Sequence, residues 1–223
     1  MDAVLDLVRV LYDPGPVFER VRERPRFLAP FLALAVVLLV GSLLQRPYVQ
    51  AALAARLARL GEAGAAAAAA GGTFAVVGAV LAPVGFAVVL VVSAAILWLL
   101  VTLVGAEARF PVLLSVATYV SVTGILLQLA RLAVLMLRGT GAVASVDDLQ
   151  PPLGLDLLAP EAGRVATALL GQVNPFTVWG VTLTAIGIRV THRTSPAGAA
   201  GVAAATFVLG CVFAAGAALL RRG

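Results

Sequence analysis

The sequence predicts an all-α, polytopic integral membrane protein: a bundle of five transmembrane helices with N-terminal amphipathic helices at the membrane interface. Three observations carry this. Of 223 residues, 61% are hydrophobic and 12% charged, and the mean hydropathy is +1.05, far outside globular averages. The apolar residues gather in five runs, about 27–44, 74–104, 112–137, 163–190 and 196–220, each matched to the roughly 20 residues that cross a bilayer core. Basic residues cluster beside those runs, and the net charge is only +5, which suits anionic headgroups and not nucleic acid. The organisation expected is a cytoplasmic amphipathic segment, 1–26, followed by the five-span bundle, 27–223, with no separate soluble domain. All sixteen basic residues are Arg and Ala and Gly abound, the mark of a GC-rich genome, so the expected location is a prokaryotic inner (cytoplasmic) membrane.

The first long apolar run starts only after a charged, helical-looking stretch, so the N-terminus is not read as a cleavable signal. From residue 3 to 12, Val4, Leu5, Val8, Leu11 and Tyr12 share one helical face, while Asp2, Asp6, Arg9 and Asp13 share another. Asp13-Pro14-Gly15-Pro16 ends that helix, and a second one, 16–24, sets Val17, Phe18 and Val21 against Glu19, Arg20, Arg22 and Glu23. Two placements fit these pieces. Either they lie in the headgroup layer with Arg20, Arg22, Arg24 and Arg26 on lipid phosphates, or they pack on the base of the bundle itself.

Arg20, Arg22, Arg24 and Arg26 precede the first span and only Arg46 closely follows it, which places the N-terminus in the cytoplasm. Arg46-Pro47 is expected to stop the first helix. A surface helix from 49 to 64 then carries Leu53, Leu57 and Leu60 opposite Arg56 and Arg59, and the alanine run 65–70 is not counted as a span. The second span, 74–104, is too long to stand perpendicular and has a kink point at Pro83 and Gly85. Trp98 falls near its far end, where an indole meets the interface.

The third span holds the most polar set, with Tyr119, Ser121, Thr123, Gly124, Gln128 and Arg131. An ionisable residue at that position is a functional candidate, and snorkelling to water explains Arg131 equally well. If it is buried it needs an anion, and the acidic outer loop, 138–162, offers Asp147, Asp148, Asp156 or Glu161. The last span repeats small residues, Ala197, Gly201 and Ala205, then Gly210, Ala214 and Ala218, a pattern that permits close helix approach or self-association. Five spans put the C-terminus outside, although Arg221 and Arg222 there run against the orientation rule, which therefore rests on the first span.

The fourth run contains Asn174-Pro175-Phe176-Thr177-Val178-Trp179. Pro175 has no backbone donor, so the carbonyl one turn earlier, on Gly171, loses its partner. Asn174 is a good N-cap with Pro175 at the favoured first helical position. From 175 to 190 the helix is about 24 Å long, short of a bilayer core of about 30 Å. One broken helix, 163–190, is therefore expected, its joint lying either inside the bilayer or at the surface.

Nucleophile elbow, metal box, intramembrane carboxylate pair and phosphate loop are all missing. With His192 the single histidine and Cys211 the single cysteine, no metal or redox cluster and no cofactor is expected. His192 reads as a solvated loop residue. The chain is read as not being an enzyme.

Leu11-Tyr12-Asp13-Pro14 with Val17-Phe18, then Arg24-Pro25-Arg26-Phe27-Leu28-Ala29-Pro30, Arg109-Phe110 leading into 113–119, and Asn174-Pro175-Phe176 with Trp179 together resemble a prokaryotic member of the Yip1 domain family. The resemblance covers most of the chain through loose motifs. It implies five spans and a cytoplasmic N-terminus. Eukaryotic members engage prenylated Rab GTPases and serve vesicle traffic and membrane shaping. This chain has no long cytoplasmic region ahead of its first span, so Rab binding is not expected. The functional expectation is a non-enzymatic protein that binds membrane lipids or membrane-protein partners, with self-association through the last helix as a further option. The alternative is a small-solute carrier or channel built on the broken helix. The candidate residues are Asn174, Pro175, Phe176, Trp179, Gln128, Arg131 and Tyr119 for a polar or helix-break site, and Arg20, Arg22, Arg24 and Arg26 for headgroups.

Overall fold

A computed structural model describes residues 2–58 and 62–220, apart from the side chains of residues 2, 62–77, 79 and 80. The fold is all-helical. Its α-helices are α1 (Asp2–Arg9), α2 (Pro14–Glu23), α3 (Leu28–Ala58), α4 (Glu62–Leu103), α5 (Phe110–Arg138), α6 (Arg164–Leu170), α7 (Pro175–His192) and α8 (Pro196–Leu220). Three short 3-10 turns, Thr140–Ala142, Asp147–Leu149 and Leu155–Leu158, punctuate the long loop between α5 and α6.

Four described helices are long and apolar enough to cross a membrane: α3, residues 81–103 of α4, α5 and α8. The jointed pair α6 and α7 is not among them. Its break leaves α7 with 18 residues, and the last turn of α7 carries Arg189 and His192.

Pro47 does not stop α3, which runs through it to Ala58. A proline within a helix removes one hydrogen bond, and in membrane helices neighbouring groups compensate for that loss. Here the turns after Pro47 are held by packing: Tyr48 and Ala52 are buried against Leu135 of α5 and Val143 of the loop. The expected surface helix 49–64 is thus in part the continuation of α3. Arg59 and Leu60 of its stripe lie outside the described residues, as do Arg221 and Arg222. Helix α4 also begins earlier than expected, with the alanine run inside it, and continues through Pro83.

The chain forms two compact units, one of residues 1–34, 87–124 and 153–223, the other of 35–86 and 125–152. In the first unit α8 packs along both α6 and α7, and α2 lies against α7. Small residues on α7 permit these approaches. A Cβ at Gly180 would come within 2.7 Å of Thr123 Oγ1, and one at Gly187 within 3.0 Å of Val116 Cγ1 and 3.1 Å of Phe18 Cζ. Around this contact Val17, Phe18, Leu113, Val116, Leu183, Ile188 and Val202 are fully buried. On α8 the inward face is Ala199, Val202 and Ala203, while Gly201 and Gly210 have no neighbour within 4 Å of an added Cβ. The stripe of small residues is therefore displaced from the packed face.

Helix α1 differs from its amphipathic reading in which face turns inward. Asp6, assigned to the polar face, is 5% exposed, whereas Val4, Leu5, Val8 and Tyr12 are 43%, 51%, 61% and 71% exposed. Its inward contacts are Leu7 and Val10, and the ion pair of Asp6 with Arg20 fixes that rotation.

Because Phe18 has no free space to retreat into, Gly187→Leu is expected to lower stability by about 1–3 kcal/mol through overpacking and to lever α2 off α7. The measurement is the thermal midpoint in detergent together with trypsin cleavage at Arg20, Arg22 and Arg24, which speeds up while the helical signal of the rest of the chain persists.

Candidate functional site at the N-terminal helices

The polar side chains of the first unit fall into two sets, those the fold uses and those it leaves open. Asn174 belongs to the first. It is 3% exposed and caps α7 as its sequence predicts: Oδ1 accepts from the Thr177 amide at 2.9 Å. Its Nδ2 donates to the Gly171 carbonyl and to Thr177 Oγ1, both at 2.9 Å. The carbonyl freed by Pro175 is thereby satisfied, and both donors of the carboxamide are taken. The loop closes over this joint. The Leu155 amide donates to the Val173 carbonyl at 3.0 Å, and Asp156 Oδ1 accepts from the Gly154 amide at 2.8 Å. A Cβ on Gly154 would sit 2.7 Å from the Val173 oxygen, so only glycine fits there without displacement. Pro175 and Trp179 are exposed and Phe176 is half-buried.

At the other end of α7 a second polar chain ties the N-terminal helices down. Arg22 donates to the Val190 carbonyl at 3.4 Å, and Arg109 donates to the Arg22 carbonyl at 3.2 Å. The Arg109 amide donates to His192 Nε2 at 3.4 Å, and His192 Nδ1 lies 2.7 Å from Thr191 Oγ1. Thr191 Oγ1 donates to the Gly187 carbonyl at 2.6 Å, so it can only accept from the ring. The neutral tautomer with its proton on Nδ1 satisfies every partner, and a second proton on Nε2 would face an N–H donor. Burial first, then the charge of Arg109, push the His192 pKa down to about 4. His192 is thus the last residue of α7 and half-buried, not a solvated loop residue. Its role was missed because nothing local in sequence brings Arg109 to it.

The open set surrounds a cavity of about 260 Å³ lined by Ala3, Asp6, Arg20, Val21, Glu23, Arg24, Arg26 and Tyr119. On one wall Arg20 makes a two-pronged ion pair with Asp6, Nη2 to Oδ1 at 2.6 Å and Nε to Oδ2 at 3.1 Å. That hydrogen bond holds the Arg20 guanidinium above its ordinary pKa. Tyr119, buried in α5, donates to the Ala3 carbonyl at 3.2 Å and anchors α1. Arg24 and Arg26 are exposed at the rim, and neither side chain hydrogen-bonds a described residue. Of the four arginines grouped in sequence, two are bound within the chain and two are free to meet an anion. The inward turn of Asp6 escaped the sequence reading, since an acidic residue on a polar helix face gives no sign of it, and Glu23 stays exposed at the rim. Gln128 and Arg131 lie in the second unit.

These features define a class: a multi-pass helical membrane protein whose N-terminal helices pack against its own helices and leave a basic rim open. The model of the Yip1 domain family matches residues 8–218, and the chain belongs to that family. It is similar to "Membrane protein YknW" of Bacillus subtilis, 28% identical over 196 residues that cover 83% of this chain and 78% of that protein. No solved structure matches the chain.

Because His192 takes up a proton near pH 6.5 when unfolded and only near 4 when folded, the stability it contributes is complete above about 6.5. It is lost as pH falls toward 4. The loss should be roughly 1–2 kcal/mol, reduced from the full shift because the ring keeps part of its hydration. Thermal midpoints in detergent between pH 7.5 and 4.5 should fall for the native chain, and His192→Gln should flatten that slope.

Proposed function

We propose that this chain is a non-enzymatic, five-span protein of a prokaryotic inner membrane that binds anionic lipid headgroups at its cytoplasmic N-terminal base and so organises membrane lipids or membrane-protein partners. The observation that carries the reading is the basic rim. Arg24 and Arg26 are exposed, unpaired among the described residues, and share a cavity with Tyr119 and the Asp6–Arg20 pair. Charges of that kind beside a membrane surface attract anionic lipid by about 1 kcal/mol each. Beside them the outward face of α1, with Val4, Leu5, Val8 and Tyr12, supplies apolar area of the sort that enters the headgroup boundary.

The fifth span is the jointed pair α6 and α7 over residues 163–190, with His192 beyond its cytoplasmic end. Both pieces pack along α8, a helix of 25 residues, about 37 Å at the helical rise, and the Asn174 cap leaves no orphaned carbonyl at the Gly171 joint. A cytoplasmic N-terminus follows from the arginines ahead of α3.

Two measurements test this. Reconstituted into vesicles of phosphatidylcholine with phosphatidylglycerol, the native chain should enrich phosphatidylglycerol around it. Arg24→Gln with Arg26→Gln should reduce that enrichment about five- to thirtyfold, with the fold retained. Equal enrichment in native and variant chains would end the reading. In a Cys211→Ala background, a cysteine placed after Leu220 should be labelled by an impermeant reagent from outside intact cells, and one at Ser195 should not.

A further inference from the structure

The second unit holds a cleft of about 150 Å³ between α3, α4 and α5, lined by Val37, Leu38, Gly41, Ser42, Gln45, Ala82, Ile125, Gln128, Leu129 and Leu132. Its polar groups are arranged in tiers along both facing helices. Val37 and Leu38 on α3 and Ile125 on α5 form an apolar floor. Gln45 lies about two turns further along α3, and Gln128 just under one turn further along α5 with Leu129 and Leu132 beyond it. Arg46 follows Ser42 by four residues on the same stripe of α3.

Ser42 is already used, its hydroxyl donating to the Leu39 carbonyl at 2.8 Å. The two carboxamides are not: neither hydrogen-bonds a described residue, although both face the cleft. Arg46 Nε is buried and has no hydrogen-bond partner. The buried Nε of Arg46, next to the cleft residue Gln45, is costly without a partner. A ligand that brings complementary groups in the same order removes that cost.

We propose that this cleft is a specific site for one anionic glycerophospholipid of the surrounding bilayer, independent of the basic rim at α2. An acyl segment lies on the apolar floor, where a Cβ on Gly41 would meet nothing within 4 Å. The ester carbonyls and glycerol oxygens accept from Gln45 and Gln128, and the phosphate lies beyond them toward the guanidinium of Arg46, the next residue along α3 from Gln45. The flank at Gln128 and Leu129 is exposed, so the remaining chain joins the bilayer without threading through protein. Arg131, three residues beyond Gln128, already has a partner within the chain and is not needed.

The test is native mass spectrometry of the full chain in detergent, titrated with phosphatidylglycerol, with diacylglycerol and with glycerol 3-phosphate. With the rim neutralised by Arg24→Gln and Arg26→Gln, the chain should still hold one phosphatidylglycerol, and adding Gly41→Leu, at a position where a Cβ meets nothing within 4 Å, should weaken it at least tenfold. Gln45→Leu with Gln128→Leu should do the same, and so should Arg46→Gln. The double leucine variant makes the cleft more apolar, so it folds in lipid at least as readily as the native chain. Arg24→Gln with Arg26→Gln should leave this binding unchanged. Diacylglycerol and glycerol 3-phosphate should each bind at least tenfold more weakly, since one lacks the phosphate and the other the chains. Unchanged affinity in the folded Gly41→Leu chain or in the double leucine variant would overturn the site. Equal binding of glycerol 3-phosphate would overturn it too, showing a soluble anion in place of a lipid.

Discussion

Pro175 removes the backbone donor that the Gly171 carbonyl would use, and a carbonyl inside a packed fold must then find another donor within the protein. The structure answers locally. Asn174 returns a side-chain N–H to the Gly171 carbonyl and at the same time accepts from the first turn of α7. An isolated N-cap is worth about 1 kcal/mol in water, but here it does more than end a helix. It lets α6 and α7 change direction while both remain packed on α8. The position of α7 then decides much of the first unit, because Gly180 and Gly187 present almost bare backbone to α5 and α2. In lipid, where apolar side chains gain nothing by leaving their solvent, contact of this closeness is the main source of association.

The same economy of partners explains the inversion of α1. A helix with one apolar and one charged face, placed on a water-soluble core, would turn the apolar face inward. Beside a membrane the surroundings are themselves apolar, so Val4, Leu5, Val8 and Tyr12 lose little by facing out. Asp6, by contrast, needs a cation and finds it in Arg20. With Asp6 almost fully buried and Arg20 half-exposed, the pair keeps hydration on one side and so avoids the full desolvation penalty of a buried ion pair. Its direct consequence is geometric: Arg20 is held by Asp6, while Arg24 and Arg26 stay exposed at the rim.

Long apolar runs made α5 and α8 legible in sequence almost to the residue, and the cap at Asn174 was legible because its two signals, an amide and a following proline, are adjacent. Pro47 misled for the opposite reason. Whether a proline ends a helix depends on what holds the next turn, and the residues that hold it, Leu135 and Val143, are distant in sequence. The orientation of α1 was hidden in the same way, since amphipathicity reports two faces without saying which solvent each will meet. His192 was read as solvated because only the fold brings the Arg109 amide to its ring. Tyr119 stood out as polar within a span, but its use as an anchor for the Ala3 carbonyl required the N-terminus to fold back more than a hundred residues.

A lone polar residue in a membrane helix therefore says little about function until its hydrogen bonds are followed to their ends. Asn174 returns its capacity to the end of α6 and the start of α7, and Thr191 and Ser42 return theirs to the backbone of their own helices, so the fold accounts for them. Arg24 and Arg26 at the N-terminal rim and Gln45, Gln128 and Arg46 in the second unit are not accounted for in that way. Leucine or alanine in their places would pack as well and avoid the expense of polar groups near lipid. No side-chain hydrogen bond to a described residue gives a reason for them, and the two proposed lipid sites rest on that. The separation of the two sets is sharpest within α3. There Ser42 and Arg46 share one stripe four residues apart, yet the first bonds to its own helix and the second holds a buried donor with nothing to receive it.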